Sequence, residues 1–237
     1  MAVRKEAAKD RSKKSETNVT ALETTRAQEY KIALWLAISL FFFYLLTTAA
    51  HPPYGDEREY FEMAQNLLTD GQPLVAKTRV GADGQPQMVL EYTRFSLGQS
   101  FLILPFALLE RLVAAILPWN WPSLSRFIFF ALPVAQSASR CALLFLLIQI
   151  MGRIQPTLAL SRKSTAILVL VSALGSQLWP ASRTLFADTS VAWLLIFSIY
   201  ALVRFRRQEG GAGWLVAVAC TGAIMFLCKN LFISAWP

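Results

Sequence analysis

The sequence predicts an all-α integral membrane protein with about five transmembrane helices, an interfacial or re-entrant helical segment, and an outer-face loop after the first helix. Three observations carry that expectation. Hydrophobic residues fill 55% of the 237 positions and charged residues only 16%, against roughly 25% charged in a soluble domain. The apolar residues gather in long runs, the pattern that spans a bilayer. The basic residues behind the formal charge of +8 lie mostly at the ends of those runs, where lysine and arginine set orientation. A nucleic-acid interface needs a basic stripe interleaved with exposed aromatics. The pattern here is different, so no nucleic-acid partner is expected.

The elements follow in order. Residues 1–30 are polar and of mixed charge, with Arg4, Lys5, Lys9, Arg11, Lys13 and Lys14 near the start. They read as a disordered or loosely helical cytoplasmic tail, and not as a cleaved signal peptide. A membrane domain is expected over 31–237. Residues 32–50 carry no charge and are long enough to span a hydrocarbon core of about 30 Å. His51-Pro52-Pro53 ends that helix, because consecutive prolines remove donors.

A polar loop over 51–95 holds seven acidic residues: Asp56, Glu57, Glu59, Glu62, Asp70, Asp83 and Glu91. Within it, Tyr60, Ala64, Leu67 and Leu68 recur at helical spacing, so an amphipathic helix is expected over 56–68. Asp70-Gly71 and Pro73 end it. Gly81-Ala82-Asp83-Gly84 divides two short extended stretches in 75–92, which predicts a hairpin. Residues 96–117 are apolar but contain Pro105 and the pair Glu110-Arg111. The proline predicts a break. The charges are costly at membrane depth, so an interfacial or re-entrant segment is expected, anchored by Trp119 and Trp121. The first non-cytoplasmic region then covers 51–126.

Further apolar runs lie at about 127–151, 164–180, 189–203 and 213–236. If 96–117 does not cross, the basic turns Arg153/Arg162/Lys163 and Arg204/Arg206/Arg207 both fall inside. If it crosses, both fall outside. The positive-inside rule selects the first arrangement: five crossings, a cytoplasmic N-terminus, and the acidic loop outside. Cys141, Cys220 and Cys228 all sit in apolar runs and are expected to act as small buried hydrophobes. With His51 the only histidine, no Cys/His metal site is expected. The chain stops at Trp236-Pro237, at an expected membrane exit, which suggests a shortened chain.

Carboxylates and cations thus gather on one outer surface. They come from the 56–62 helix, from Tyr92-Thr93-Arg94, and from the turn Ser182-Arg183-Thr184-Leu185-Phe186-Ala187-Asp188. Carboxylates there suit a general base or a metal contact. Arginines suit a phosphate, whose oxygens match the guanidinium fork.

These segments resemble those of the GT-C class of membrane glycosyltransferases, in particular the protein-mannosyltransferase and aminoarabinose-transferase type. The resemblance rests on Gly55-Asp56-Glu57-Arg58-Glu59-Tyr60 after the first membrane helix and on Tyr92-Thr93-Arg94-Phe95-Ser96-Leu97-Gly98 leading to Leu104-Pro105-Phe106. It rests also on Leu174-Gly175 through Leu178-Trp179-Pro180 to Asp188, and on Cys228-Lys229-Asn230. It covers about 32–237, the N-terminal half of such an enzyme. It implies transfer of a sugar from a polyprenyl-phosphate carrier to an acceptor outside the cytoplasm, in a bacterial inner membrane. Asp56 is then the catalytic base, and Glu57 assists it or contacts a divalent metal, which the class leaves open as a cofactor. Asp188 shapes the acceptor pocket. Arg94, Arg183 and Lys229 neutralise the departing lipid phosphate, with Tyr60 and Tyr92 completing the substrate site. The membrane lipid and the lipid-linked donor are the implied partners.

Each residue also has a plainer reading. Asp56-x-x-Glu59 is a capping-box pattern, worth about 0.5–2 kcal/mol to a helix. Glu57 is a first-turn acid favoured by the helix dipole, and Asp188 is a cap for the helix that follows. Arg94 and Arg183 are snorkelling interface anchors. Tyr60 reads as a packing anchor. The run Phe41-Phe42-Phe43-Tyr44 faces lipid or packs. Arg140 shares a helix face with Gln136 and Ser139 that should look into the bundle. It serves either an interhelical contact or the lipid-phosphate path. The rival to the enzyme is a non-catalytic or truncated membrane scaffold that handles lipid-linked saccharides.

Overall fold

A computed structural model describes residues 2–47, 56–72, 74–80, 85–92, 97–116, 122–176, 187–207 and 211–229, with some of their side chains, among them 2–23, 56–58 and 122–130, left aside. The fold is mostly helical. Its helices are α1 (Ala2–Thr47), α2 (Asp56–Thr69), α3 (Leu97–Ile116), α4 (Pro122–Ile154), α5 (Arg162–Gly175), α6 (Ala187–Arg206) and α7 (Gly213–Lys229). One antiparallel hairpin, β1 (Leu74–Val80) with β2 (Pro86–Tyr92), stands between α2 and α3. Among the described residues three helices are long and apolar enough to cross a membrane: Thr24–Thr47, Ala131–Ile154 and Thr189–Arg206. The apolar α7 stretch Gly213–Cys228 is shorter, and α5 covers 14 residues. This architecture is consistent with an all-α membrane protein.

The polar N-terminal segment departs from the disordered alternative, because α1 runs through it without interruption. Its Ala, Lys, Glu and Arg content favours a helix. Asp10 precedes Lys14 by four positions, the spacing that supports a helix by charge. Helix α4 begins at Pro122, where proline suits a first helical position.

Two α1 and α4 stripes form the main core. Ala33, Leu36, Leu40 and Tyr44 bury against Val134, Ala138, Cys141 and Phe145, with Val169 and Ala173 of α5 and Tyr200 of α6. The spacings of three and four put each set on one helix face. Tyr44 is fully buried and donates its hydroxyl to the Ala173 carbonyl at 3.0 Å. Its neighbours Phe42 and Phe43 face outward. The aromatic run therefore divides between packing and the outer surface. Cys141 and Cys228 are buried as expected, whereas Cys220 is exposed, because it lies on the outward face of α7.

The direction of the helices follows from contacts at both ends. Arg153 Nη1 of α4 lies 3.0 Å from Glu29 Oε2 of α1, an ion pair without hydrogen-bond alignment. Farther along, Ala37, Ile38, Phe41 and Phe42 share a shallow apolar cleft with Ala135, Ala138 and Ser139. The two helices are therefore antiparallel. The Glu29 end is strongly basic. There Arg162 donates to Gln28 and Arg204 to Tyr30. The Arg204 guanidinium also lies 5.8–5.9 Å from the ring centres of Tyr30, Tyr200 and Trp214, within cation–π range. Both basic turns thus meet α1 at one end of the bundle.

The second apolar cluster sits away from that end. Tyr60 and Ala64 of α2 pack on Ile103 and Ala107 of α3 and on Leu132 of α4, with Leu68 against them. Pro105 lies inside α3 without ending it, which corrects the expected break. Proline removes one helical hydrogen bond, and packing by neighbouring helices can absorb that loss; α3 contacts α2, α4 and α7. Gly71 ends the α2 segment with a φ of +67°, which glycine adopts without strain.

Gly98 brings α3 into close contact with α7. A Cβ there would lie 2.6 Å from the Cys228 backbone nitrogen and 2.8 Å from its Sγ. The first of these is backbone and cannot swing aside. Gly98→Ala is expected to destabilise the protein by about 1–3 kcal/mol, the usual cost of overpacking. Thermal unfolding in detergent against the wild type measures it; an unchanged midpoint contradicts the close contact.

Candidate functional site

The carboxylate and cation positions singled out in the sequence are distributed over helix ends. Asp56 and Glu57 open α2, Tyr92 closes β2, Asp188 lies in the first turn of α6, and Lys229 closes α7. Their backbones are described and, Tyr60 apart, their side chains are not. Arg94 and Arg183 lie outside the described residues.

A chain of contacts brings these helix ends to one region. Ser100 Oγ near the start of α3 donates to the Tyr60 carbonyl at 3.2 Å, one turn beyond Asp56. It also lies 3.1 Å from Met63 Sδ. Gly98, two residues before Ser100, abuts Cys228, the neighbour of Lys229. Ser190, two residues after Asp188, donates to Gln136 Oε1 of α4 at 2.9 Å. Gln136 lies one turn below Leu132, which packs with Tyr60, Ile103 and Ala107. The starts of α2, α3 and α6 and the end of α7 therefore gather at the end of the bundle opposite Arg153, Arg162 and Arg204.

Tyr60 is the one candidate with a described side chain. It is 6% exposed and seated in the apolar cluster between α2 and α3. That placement matches the packing-anchor reading. Its backbone carbonyl, and not its ring, carries the link to Ser100.

A polar relay not singled out in the sequence holds α2 and α3 together. The side chain of Gln65 donates to Glu110 Oε2 at 2.7 Å. Arg111 Nη2 donates to the Gln65 carbonyl at 3.3 Å and to its side-chain oxygen at 3.4 Å. One glutamine thus satisfies both members of the charged pair inside the apolar run of α3. The charge pair was the signal in the sequence; its partner was hidden, because a glutamine on an amphipathic helix normally faces water. Asn66 adds a bond from its amide to the Leu74 carbonyl at 2.6 Å, which fixes β1 to α2.

Among the described residues no group of three or more His, Cys, Asp or Glu could hold a metal ion. No family model matches this chain, and no curated protein or solved structure is significantly similar to it.

Gln65→Leu removes the amide that donates to Glu110 and the side-chain oxygen that accepts from Arg111, leaving Arg111 only the backbone carbonyl at position 65, at an expected cost of about 1–3 kcal/mol. Combining it with Glu110→Gln and Arg111→Gln in a mutant cycle should show coupling among the three. Strict additivity in thermal unfolding would argue against the relay.

Proposed function

We propose that this protein is a GT-C-like glycosyltransferase, or the N-terminal part of one, that uses a polyprenyl-phosphate-linked sugar as donor at the non-cytoplasmic face of a membrane. The observation that carries the reading is the gathering of helix ends. The positions of Asp56, Glu57, Asp188 and Lys229 collect at the end of the bundle opposite the basic turns. Displacement at a sugar carbon needs a base on one side and a stabilised phosphate on the other. In this reading Asp56 takes the acceptor hydroxyl proton as the oxygen attacks the anomeric carbon. The bond from that carbon to the phosphate oxygen breaks, and the negative charge left on the lipid phosphate is met by Arg94, Arg183 and Lys229. Glu57 supports Asp56, directly or through a divalent metal, and Tyr92 and Asp188 border the acceptor.

The membrane arrangement belongs to the same proposal. Helices α1, α4, α5, α6 and α7 cross in alternation, with the basic end cytoplasmic. Helix α3 lies at the outer interface. Its contacts support this: it meets α4 at Leu132, in the first turn of the apolar stretch Ala131–Ile154, and α7 at Cys228, in the last turn. Its charges are hydrogen-bonded by Gln65 of α2.

Purified protein incubated with a panel of polyprenyl-phosphate sugars should release carrier lipid. Asp56→Asn should lower that release by about 10²–10⁴-fold, the usual share of a general base. A folded Asp56→Asn protein with full transfer sinks the mechanism. Separately, a cysteine placed at position 158, where Leu158 is exposed, should resist impermeant thiol reagents added from outside intact cells. Labelling from outside overturns the orientation.

A further inference from the structure

Arg140 is a buried cation to which the transfer reading gives no role. It is 5% exposed, in the middle of the apolar stretch Ala131–Ile154 of α4. Neither its Nε nor its Nη2 has a hydrogen-bond partner among the described residues. These atoms form one edge of the guanidinium. Their two N–H bonds point in parallel, the geometry that grips two oxygens of an oxyanion.

A second donor stands on the same helix face. Gln136 precedes Arg140 by four residues, one turn toward the end where the candidate residues gather, and is 5% exposed. Its Oε1 is taken by the Ser190 hydroxyl at 2.9 Å, which fixes the orientation of the amide. Its Nε2 is buried with no partner among the described residues. Within one turn, three donor atoms on two side chains therefore lack an acceptor among the described residues. A guanidinium left uncompensated in such surroundings is strongly unfavourable.

The described carboxylates are engaged elsewhere: Glu29 with Arg153 and Glu110 with Gln65. Glu59, Glu62 and Asp70 belong to the α2 segment beyond Leu132. The demand is for an acceptor with at least three oxygens and a negative charge.

We propose that Arg140 and Gln136 form a buried phosphate-binding site within the bundle. The Arg140 edge holds two phosphate oxygens and the Gln136 amide a third. The phosphate comes either from the headgroup of an anionic lipid or from the aqueous phase. This site does not depend on glycosyl transfer, and its test reads binding rather than turnover.

The full chain is purified in maltoside detergent and phosphate-free buffer. Its thermal midpoint is followed against inorganic phosphate, and against phosphatidylglycerol in mixed micelles, with chloride at matched ionic strength as reference. The expected result is a saturable rise with at least one probe and none with chloride. Saturation by inorganic phosphate assigns a free anion; saturation by the lipid alone assigns a headgroup. Arg140→Gln should abolish the response, and Gln136→Leu should weaken it at least about tenfold, the effect of losing a charge-assisted bond. If Arg140→Gln fails to fold, Gln136→Leu decides, since it keeps the charge. A wild type with no saturable response to either probe overturns the proposal, because the guanidinium is then neutralised from within the chain. Unchanged affinity in Gln136→Leu overturns the site as drawn.

Discussion

Glu29 of α1 and Arg153 of α4 meet near one end of two antiparallel helices, and the stripes above them interlock from Ala33 to Tyr44 and from Phe145 back to Val134. The arrangement of the rest of the chain depends on this pairing. Because α1 runs one way and α4 the other, the long segment between them leaves and rejoins the bundle at the same end. Helix α2, the hairpin and α3 are therefore stacked at that end. The polar contacts keep the core in register. Gln149 of α4 donates to Thr165 of α5 at 2.6 Å, and Ser198 of α6 lies 2.6 Å from Thr221 of α7. In an apolar setting such pairs specify which helix faces meet, because a mismatched face would leave a polar group unsatisfied.

The two ends of the bundle differ in chemistry. One end concentrates arginine: Arg153 on Glu29, Arg162 on Gln28, and Arg204 among three aromatic rings. The other end gathers the starts of α2, α3 and α6 and the end of α7 through tight, specific contacts. The approach of Gly98 to Cys228 and the bond from Ser190 to Gln136 are two of these. This polarity is what supports the proposed membrane orientation and the proposed place of the reaction. It also explains why α3 tolerates Glu110 and Arg111, since a single amide on α2 serves both.

Much of the local structure was legible in the sequence. The helix from Asp56 and the antiparallel pairing of 74–80 with 86–92 follow from periodicity and turn signals, while the expected turn at 81–84 lies outside the described residues. Tyr60 and Ala64 announced a buried face, and they are buried. Pro105 misled because its cost depends on the helices around it, which no local pattern reports. For the polar segment before Tyr30 the composition left disorder and a loose helix both open, and α1 takes the helical alternative. Cys220 misled because an apolar run has an outward face as well as an inward one.

The sequence by itself determined which stretches are helical and apolar and which face of α2 is sticky. It also determined that carboxylates and cations flank the apolar runs. Those properties are local, set by spacings of three and four and by the chemistry of single side chains. Only the tertiary structure decided that α1 pairs antiparallel with α4, that Gln65 answers Glu110 and Arg111, and that Gln136 gives its carbonyl oxygen to Ser190 while its amide and the Arg140 edge have no partner among the described residues. Each of these joins residues at least 40 positions apart, and such pairings arise when whole helix faces are matched against one another.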